Sequence, residues 1–263
     1  MARARRKINV PAGVVWGCLE RDSAAGNGRY KTARQLGIVP LPQTEWVSWS
    51  LLDFAGKSTA QGSTGTCVGH GTAKGIETTY RSTGVPDVKQ GNGFALYAQT
   101  KWDLGNRRVS WGSGLNLEDC LNTAAKKGCP EVTPDWPAEA TTSGWPKDYE
   151  ARFARRKVLE WGDLEGDPSN ILALIWTIGQ TLSRCSVIGT DVFGGGHCVP
   201  VHWGRVERGT FYFGGLNSWG TKRTNTDVVG GWEFDYNDML HGGLDKRGCW
   251  FPRLITDASG AAA

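Results

Sequence analysis

Apolar positions recur at helical spacing in the first half of this chain and at alternating spacing in the second. Val68, Thr72, Ile76 and Tyr80 follow at four-residue steps after a glycine-containing loop, which predicts a helix whose first turn carries Cys67. A second helix is expected from about 93 to 103, around Phe94, Ala95, Leu96, Tyr97 and Ala98. A third begins after Asn116 as N-cap, has Glu118 and Asp119 in its first turn and Lys126-Lys127 before Gly128, and turns Leu117, Cys120, Leu121 and Ala124 to a core. Asp167-Pro168 opens a fourth, with Ile171, Ile175, Ile178 and Leu182 on one face. From there the pattern turns to strands at 186–192, 198–207, 210–216, 231–236 and 249–255.

The expected organisation is a weakly patterned arm over 1–45, one domain over 46–255, and a frayed tail over 256–263. Within the domain a helical half (about 60–147) precedes a β half (about 155–255). A loop rich in Pro, Trp and Thr at 132–147 makes the crossing between them.

Four polar residues then stand out by their order. Gln61 and Cys67 lie in Gln-Gly-Ser-Thr-Gly-Thr-Cys, His197 follows Cys67 by 130 positions in Gly-Gly-Gly-His-Cys-Val, and Asn217 follows by 20 more in Leu-Asn-Ser-Trp-Gly. A free thiol with a pKa of about 8.5 is mostly protonated at neutral pH. An imidazole can take its proton, and a helix N-terminus favours the thiolate. Asn217 would accept from the far N–H of His197, and Gln61 would add a donor beside the Cys67 N–H to form an oxyanion hole. On a strand through 199–205, His202 falls on the face opposite Val199, Val201, Trp203 and Arg205, which makes it the weaker rival as base. His70 is expected to pack or cap, and His241 to sit at the surface.

These segments resemble the papain family of cysteine peptidases. Gln61-Gly62-Ser63-Thr64-Gly65-Thr66-Cys67-Val68, His197-Cys198-Val199 and Asn217-Ser218-Trp219-Gly220 stand for the family's three signature runs, over roughly residues 41–252. The resemblance implies Cys67 as nucleophile, His197 as base, Asn217 as orienter and Gln61 as oxyanion donor. It also implies an α+β, two-lobed papain-like fold, with the nucleophile helix packed against an antiparallel β-barrel-like lobe. Trp219 would shield the His197–Asn217 bond. Gly65, Ser113 and Gly114 join Trp219 as substrate-binding positions, because Trp111-Gly112-Ser113-Gly114 falls where the family pairs with substrate backbone; the alternative there is an ordinary turn. Thr64 replaces a disulfide-forming cysteine, Val68 an aromatic wall, and Gly69-His70 the residues packed under the helix. Residues 1–45 are too short, and too little helical, for the family's usual inhibitory propeptide.

Composition adds limits. A net charge of +4 gives no argument for nucleic acid, and no run approaches the length that spans a bilayer. Arg3, Arg5, Arg6 and Lys7 form a short basic arm that can dock on an acidic partner or a larger assembly, including a virion; the alternative is a solvated tail. The start has no apolar signal region, and seven cysteines is an odd number without a Cys-x-x-Cys pair. This points to a cytoplasmic protein, or one released without a secretory signal. No cofactor and no metal is expected; Cys185, His197, Cys198 and His202 are too irregularly spaced for zinc. Thirteen tryptophans are read as packing.

The expected activity is hydrolysis of peptide or isopeptide bonds in a polypeptide through an acyl-enzyme on Cys67. Two rivals are an idle papain-fold module within a larger assembly, and an amidase or transpeptidase using the same three residues.

Overall fold

The computed structural model describes residues 16–20, 30–106, 108–137 and 142–255. The basic arm at 3–7 and the tail at 256–263 lie outside the described residues.

The helical half is built on α1 (Leu52–Ala55), α2 (Cys67–Ser82), α3 (Gly93–Asp103), α4 (Leu117–Lys126) and α5 (Tyr149–Ala154). Helix α2 is the axis of the molecule, buried from Cys67 to Tyr80. Glycine inside a helix costs about 1 kcal/mol relative to alanine, yet α2 carries three, because its neighbours come too close for a side chain. A Cβ at Gly69 would stand 2.3 Å from the Gly93 carbonyl, one at Gly71 would stand 2.8 Å from Cys198 Sγ, and one at Gly75 would stand 2.3 Å from Val187. The helix also buries a charge cluster. Lys74 Nζ donates to Ala55 O (3.0 Å) and pairs with Glu77 (2.6 Å), whose other oxygen pairs with Arg81 (2.8 Å).

The remaining elements are β1 (Tyr30–Thr32), β2 (Trp49–Ser50), β3 (Val158–Asp163), α6 (Pro168–Thr177), β4 (Ser186–Thr190), β5 (His197–Val201), β6 (Trp203–Glu207), β7 (Thr210–Leu216), β8 (Gly231–Asp235), α7 (Tyr236–Leu240), α8 (Leu244–Arg247) and β9 (Cys249–Ile255). They form a five-stranded sheet in the order β1-β3-β9-β4-β5 and a four-stranded antiparallel sheet in the order β2-β6-β7-β8. Only the β1–β3 pair of the first sheet is parallel. One apolar cluster joins Val68, Ile76, Tyr97 and Leu121 of the helices to Trp161, Val187 and Trp250 of the first sheet. A second packs Ile171, Ile175 and Trp176 of α6 against Val199, Phe213 and Trp232.

Several sequence expectations need correction. The strand expected over 198–207 is two strands, broken at His202, so that the chain passes there from one sheet to the other. Alternation alone continues through the break and conceals it. Asn116 stands at the start of α4 but its side chain makes no cap bond, whereas Asn92 caps α3 by accepting from Ala95 N (3.0 Å). Asp167 caps α6 as expected, accepting from Asn170 N (2.9 Å). The face of Ile171, Ile175 and Ile178 is buried, but the helix widens into a π-turn over Ile178–Leu182 and leaves Leu182 exposed. Tyr236 does not end a strand; Asp235 caps a helix that begins with it.

Candidate active site

Cys67 is the first residue of α2, so its backbone N–H belongs to the unsatisfied first turn where the helix dipole favours an anion. The loop before it is shaped by Gly62, at φ +60°, and by Thr64, whose hydroxyl donates to Gln61 O (2.6 Å) in place of the family's disulfide. The β half is pinned to this loop by Gln61 N donating to Ser218 O (2.8 Å) and Gly220 N to Thr59 O (2.8 Å). That pairing brings the Asn217-Ser218-Trp219 turn beside the loop that leads to Cys67.

His197 opens β5, opposite Thr190 of β4. Its Nε2 lies 2.8 Å from Asn217 Oδ1, which also accepts from Ser218 N (2.7 Å). An oxygen already accepting from an amide fixes the tautomer: His197 carries its proton on Nε2 and leaves a lone pair on Nδ1. Among the described residues Nδ1 has no hydrogen-bond partner, and no hydrogen bond joins it to Cys67 Sγ. Trp219 stacks on the imidazole (4.7 Å between centroids, 22° between planes), and Phe193 meets it edge-on at 5.0 Å. These rings keep water off the His197–Asn217 bond.

Gln61 is buried beside the same turn. Its Nε2 donates to Thr64 O (2.6 Å) and its Oε1 accepts from Ser218 Oγ. The carboxamide is therefore held at both ends, with one N–H left over.

The largest correction concerns the N-terminal arm. Residues 16–20 run through the site. Leu115 N donates to Gly17 O (2.7 Å), Leu19 N to Leu115 O (3.0 Å) and Cys18 N to Gly196 O (3.1 Å). Trp16 stands edge-on to His197 (5.8 Å) and to Trp219 (6.1 Å). Arg247, held by Asp191 (2.7 Å), donates through Nη1 to Cys18 O. The glycines on both walls mark a close backbone approach. A Cβ at Gly17 would stand 1.9 Å from Gly65 O, and one at Gly196 would stand 2.1 Å from Cys18 O. Gly65 and Gly114 thus border the path of an extended peptide, while Ser113 is exposed and bonds back to Ser110 O (3.1 Å). The strand-like pairing falls at Leu115, one residue beyond the positions expected. Nothing in the local pattern announced Trp16, Gly17, Cys18, Asp191 or Arg247; the run of glycines before His197 was the only trace.

This cover changes the electrostatics expected of the thiol. Cys67 and His197 are both fully buried. Burial pushes the Cys67 thiol up to about 11, although backbone N–H groups of Cys198 and Gly17 face the sulfur and work against the shift. Burial lowers His197 to about 4, against the opposing pull of Asn217. In this state the pair is neutral thiol and neutral imidazole, rather than the activated ion pair expected from sequence.

The other histidines separate cleanly. His202 Nδ1 accepts from Leu216 N (3.0 Å) and Nε2 faces Thr78 Oγ1 (3.1 Å), whose own proton goes to Lys74 O. Both nitrogens are used to staple β7 to α2, which leaves His202 neither a base nor a metal ligand. His241 is exposed. His70 is buried one turn along α2 from Cys67, edge-on to Phe94 (4.6 Å). Among the described residues no group of His, Cys, Asp or Glu is arranged to hold a metal, and no helix is long and apolar enough to cross a membrane.

No protein-family model matches the chain, and no curated protein sequence does. Solved structures do match. Xylellain, a cysteine protease from Xylella fastidiosa, superposes with a TM-score of 0.64 at 15% identity, covering 95% of this chain and 98% of its own. Digestive procathepsin L2 proteinase of the Tenebrio molitor larval midgut gives 0.65 at 18% identity, covering 91% and 78%. ProCathepsin B S9 from Trypanosoma congolense gives 0.59 at 13% identity, covering 91% and 86%. At these identities the likeness speaks to architecture, and this chain has the α+β fold of papain-like cysteine proteases.

Proposed function

We propose that the chain is a thiol peptidase that hydrolyses peptide or isopeptide bonds through an acyl-enzyme on Cys67, and that residues 16–20 hold it latent. The observation that carries this reading is the Nε2–Oδ1 bond between His197 and Asn217 under the Trp219 ring, which leaves a free Nδ1 lone pair. His197 thus presents an available base on the side of the ring away from Asn217.

Once the cover is displaced, water returns to the site and both groups move back toward their ordinary pKa values. His197 Nδ1 then takes the thiol proton and the thiolate attacks the scissile carbonyl. The oxyanion meets the Cys67 N–H and the remaining Gln61 N–H. The imidazolium protonates the leaving amine, and a water activated by the neutral ring releases the acid. Substrate would lie as an extended strand beside Leu115, where residues 17–19 lie now. The cover resists cutting because the Gly17 carbonyl is taken by Leu115 N and so kept from the oxyanion donors.

A second reading, the idle papain-fold module, is favoured by the complete burial of Cys67. The two are separated by treating the chain, with and without the Gly17→Val change that evicts the cover, with a peptidyl epoxide and a peptide-substrate library. Labelling of Cys67 together with cleavage supports the peptidase. Labelling without cleavage of any peptide, or no labelling in either form, supports the module.

A further inference from the structure

Beside Asn217 lies a small cavity of about 10 Å³, lined by Thr59, His70, Lys74, Pro200, Asn217 and Ser218 among others. That volume is about what one water molecule requires, provided polar partners surround it. Two buried groups on its wall lack them. Among the described residues neither ring nitrogen of His70 has a partner, and neither does Asn217 Nδ2. Lys74 uses two of its three N–H donors on Ala55 O and Glu77, and no bond from it reaches His70 or Asn217. Buried polar side-chain atoms are seldom left unpaired, and an orphan costs about 1–3 kcal/mol.

We propose that one ordered water in this cavity joins a ring nitrogen of His70 to Asn217 Nδ2, making His70 a positioning residue for the carboxamide that holds His197. Asn217 Nδ2–H donates to the water, and the water donates to the lone pair of the neutral His70 imidazole. The effect on the site is geometric. The Ser218 N–H already fixes which end of the amide faces His197, and the water bond to Nδ2 adds a second restraint, on the plane of the carboxamide. With Nδ2 tied to His70 through water, Oδ1 stays in line with His197 Nε2. The importance of this link for turnover rests on the thiol-peptidase reading, but the link itself does not.

The test has two independent arms. A crystal structure of the full chain, at a resolution that shows other buried waters, should place a water within hydrogen-bond distance of both His70 and Asn217 Nδ2; a dry cavity overturns the proposal. The rate of Cys67 alkylation is then followed against pH for His70→Phe and His70→Gln in the Gly17→Val chain. His70→Phe should lose about tenfold in rate (about 1.4 kcal/mol) with a shifted profile, while His70→Gln, which can still accept from the water, should stay near the parent. Equal behaviour of the two variants, whether both unchanged or both impaired, overturns it. Neither arm needs a substrate, so failure to find peptide cleavage would count against the peptidase reading and leave this one standing.

Discussion

Asn217 Oδ1 accepts two hydrogen bonds at once, from His197 Nε2 at 2.8 Å and from Ser218 N at 2.7 Å. The backbone bond anchors the oxygen whether or not His197 is present, so the acceptor is formed by the turn and not induced by the ring. His197 is oriented by a group that cannot itself move protons, so under the proposed mechanism the two residues divide the labour.

That division predicts unequal losses. In the uncovered chain, His197→Ala should abolish cleavage, since the thiol loses its base and the amine its acid. Asn217→Ala should retain measurable turnover, because it removes only alignment. Gln61→Ala should cost on the order of 10²–10³ in turnover, the scale of one oxyanion donor. Steady-state kinetics on one peptide would decide; an Asn217→Ala enzyme as dead as His197→Ala would contradict the assignment.

The cover should be removable by a single substitution. Gly17→Val places side-chain atoms where Gly65 O now stands, 1.9 Å from an ideal Cβ. Alkylation of Cys67 by iodoacetamide at pH 7 should rise at least tenfold, equivalent to about 1.4 kcal/mol of lost cover affinity. Arg247→Gln, which removes the clamp on Cys18 O, should act in the same direction but more weakly. Unchanged alkylation in both variants would mean that residues 16–20 do not guard the thiol.

His202 should matter for stability and not for chemistry. Replacing it by Ala removes two buried hydrogen bonds between α2 and β7 and opens a cavity, which should cost about 2–4 kcal/mol. Urea unfolding gives the loss directly. In the Gly17→Val background, Cys67 alkylation should change little as long as the variant remains folded.

Acid should destabilise the fold through its buried histidines. Burial lowers His70 and His202 to about 3 and His197 to about 4, against about 6.5 in the unfolded chain. The unfolded state therefore binds protons that the folded state refuses as pH falls below 6.5. Their contribution is complete above that value and declines toward the folded pKa, by up to about 1.4 kcal/mol per pH unit for each histidine. Urea midpoints at pH 7.5, 6 and 5 should fall in that order, and an unchanged midpoint would show that these rings are not neutral inside.

The thiols give a last check. All seven cysteines are free and buried. Titration of the folded chain should find almost none that react quickly, and seven after denaturation. A lower denatured count would reveal a disulfide where none is built.

Much of the site was legible in the sequence because its parts are local. Cys67 at the head of a helix follows from the glycine-containing loop and the four-residue periodicity. Asp167-Pro168, the strands and the Asn217-Ser218-Trp219 turn are likewise written in neighbouring residues. What local pattern cannot carry is non-local backbone pairing. Trp16-Gly17-Cys18-Leu19 has no period of its own, and its course is set by Leu115 and Gly196, far along the chain. The break at His202 depends in the same way on Thr78 and Leu216. The order of Cys67, His197 and Asn217 determined which groups could do chemistry. The protonation state of those groups was decided only by tertiary structure, since it depends on how completely folding removes water from a thiol and an imidazole.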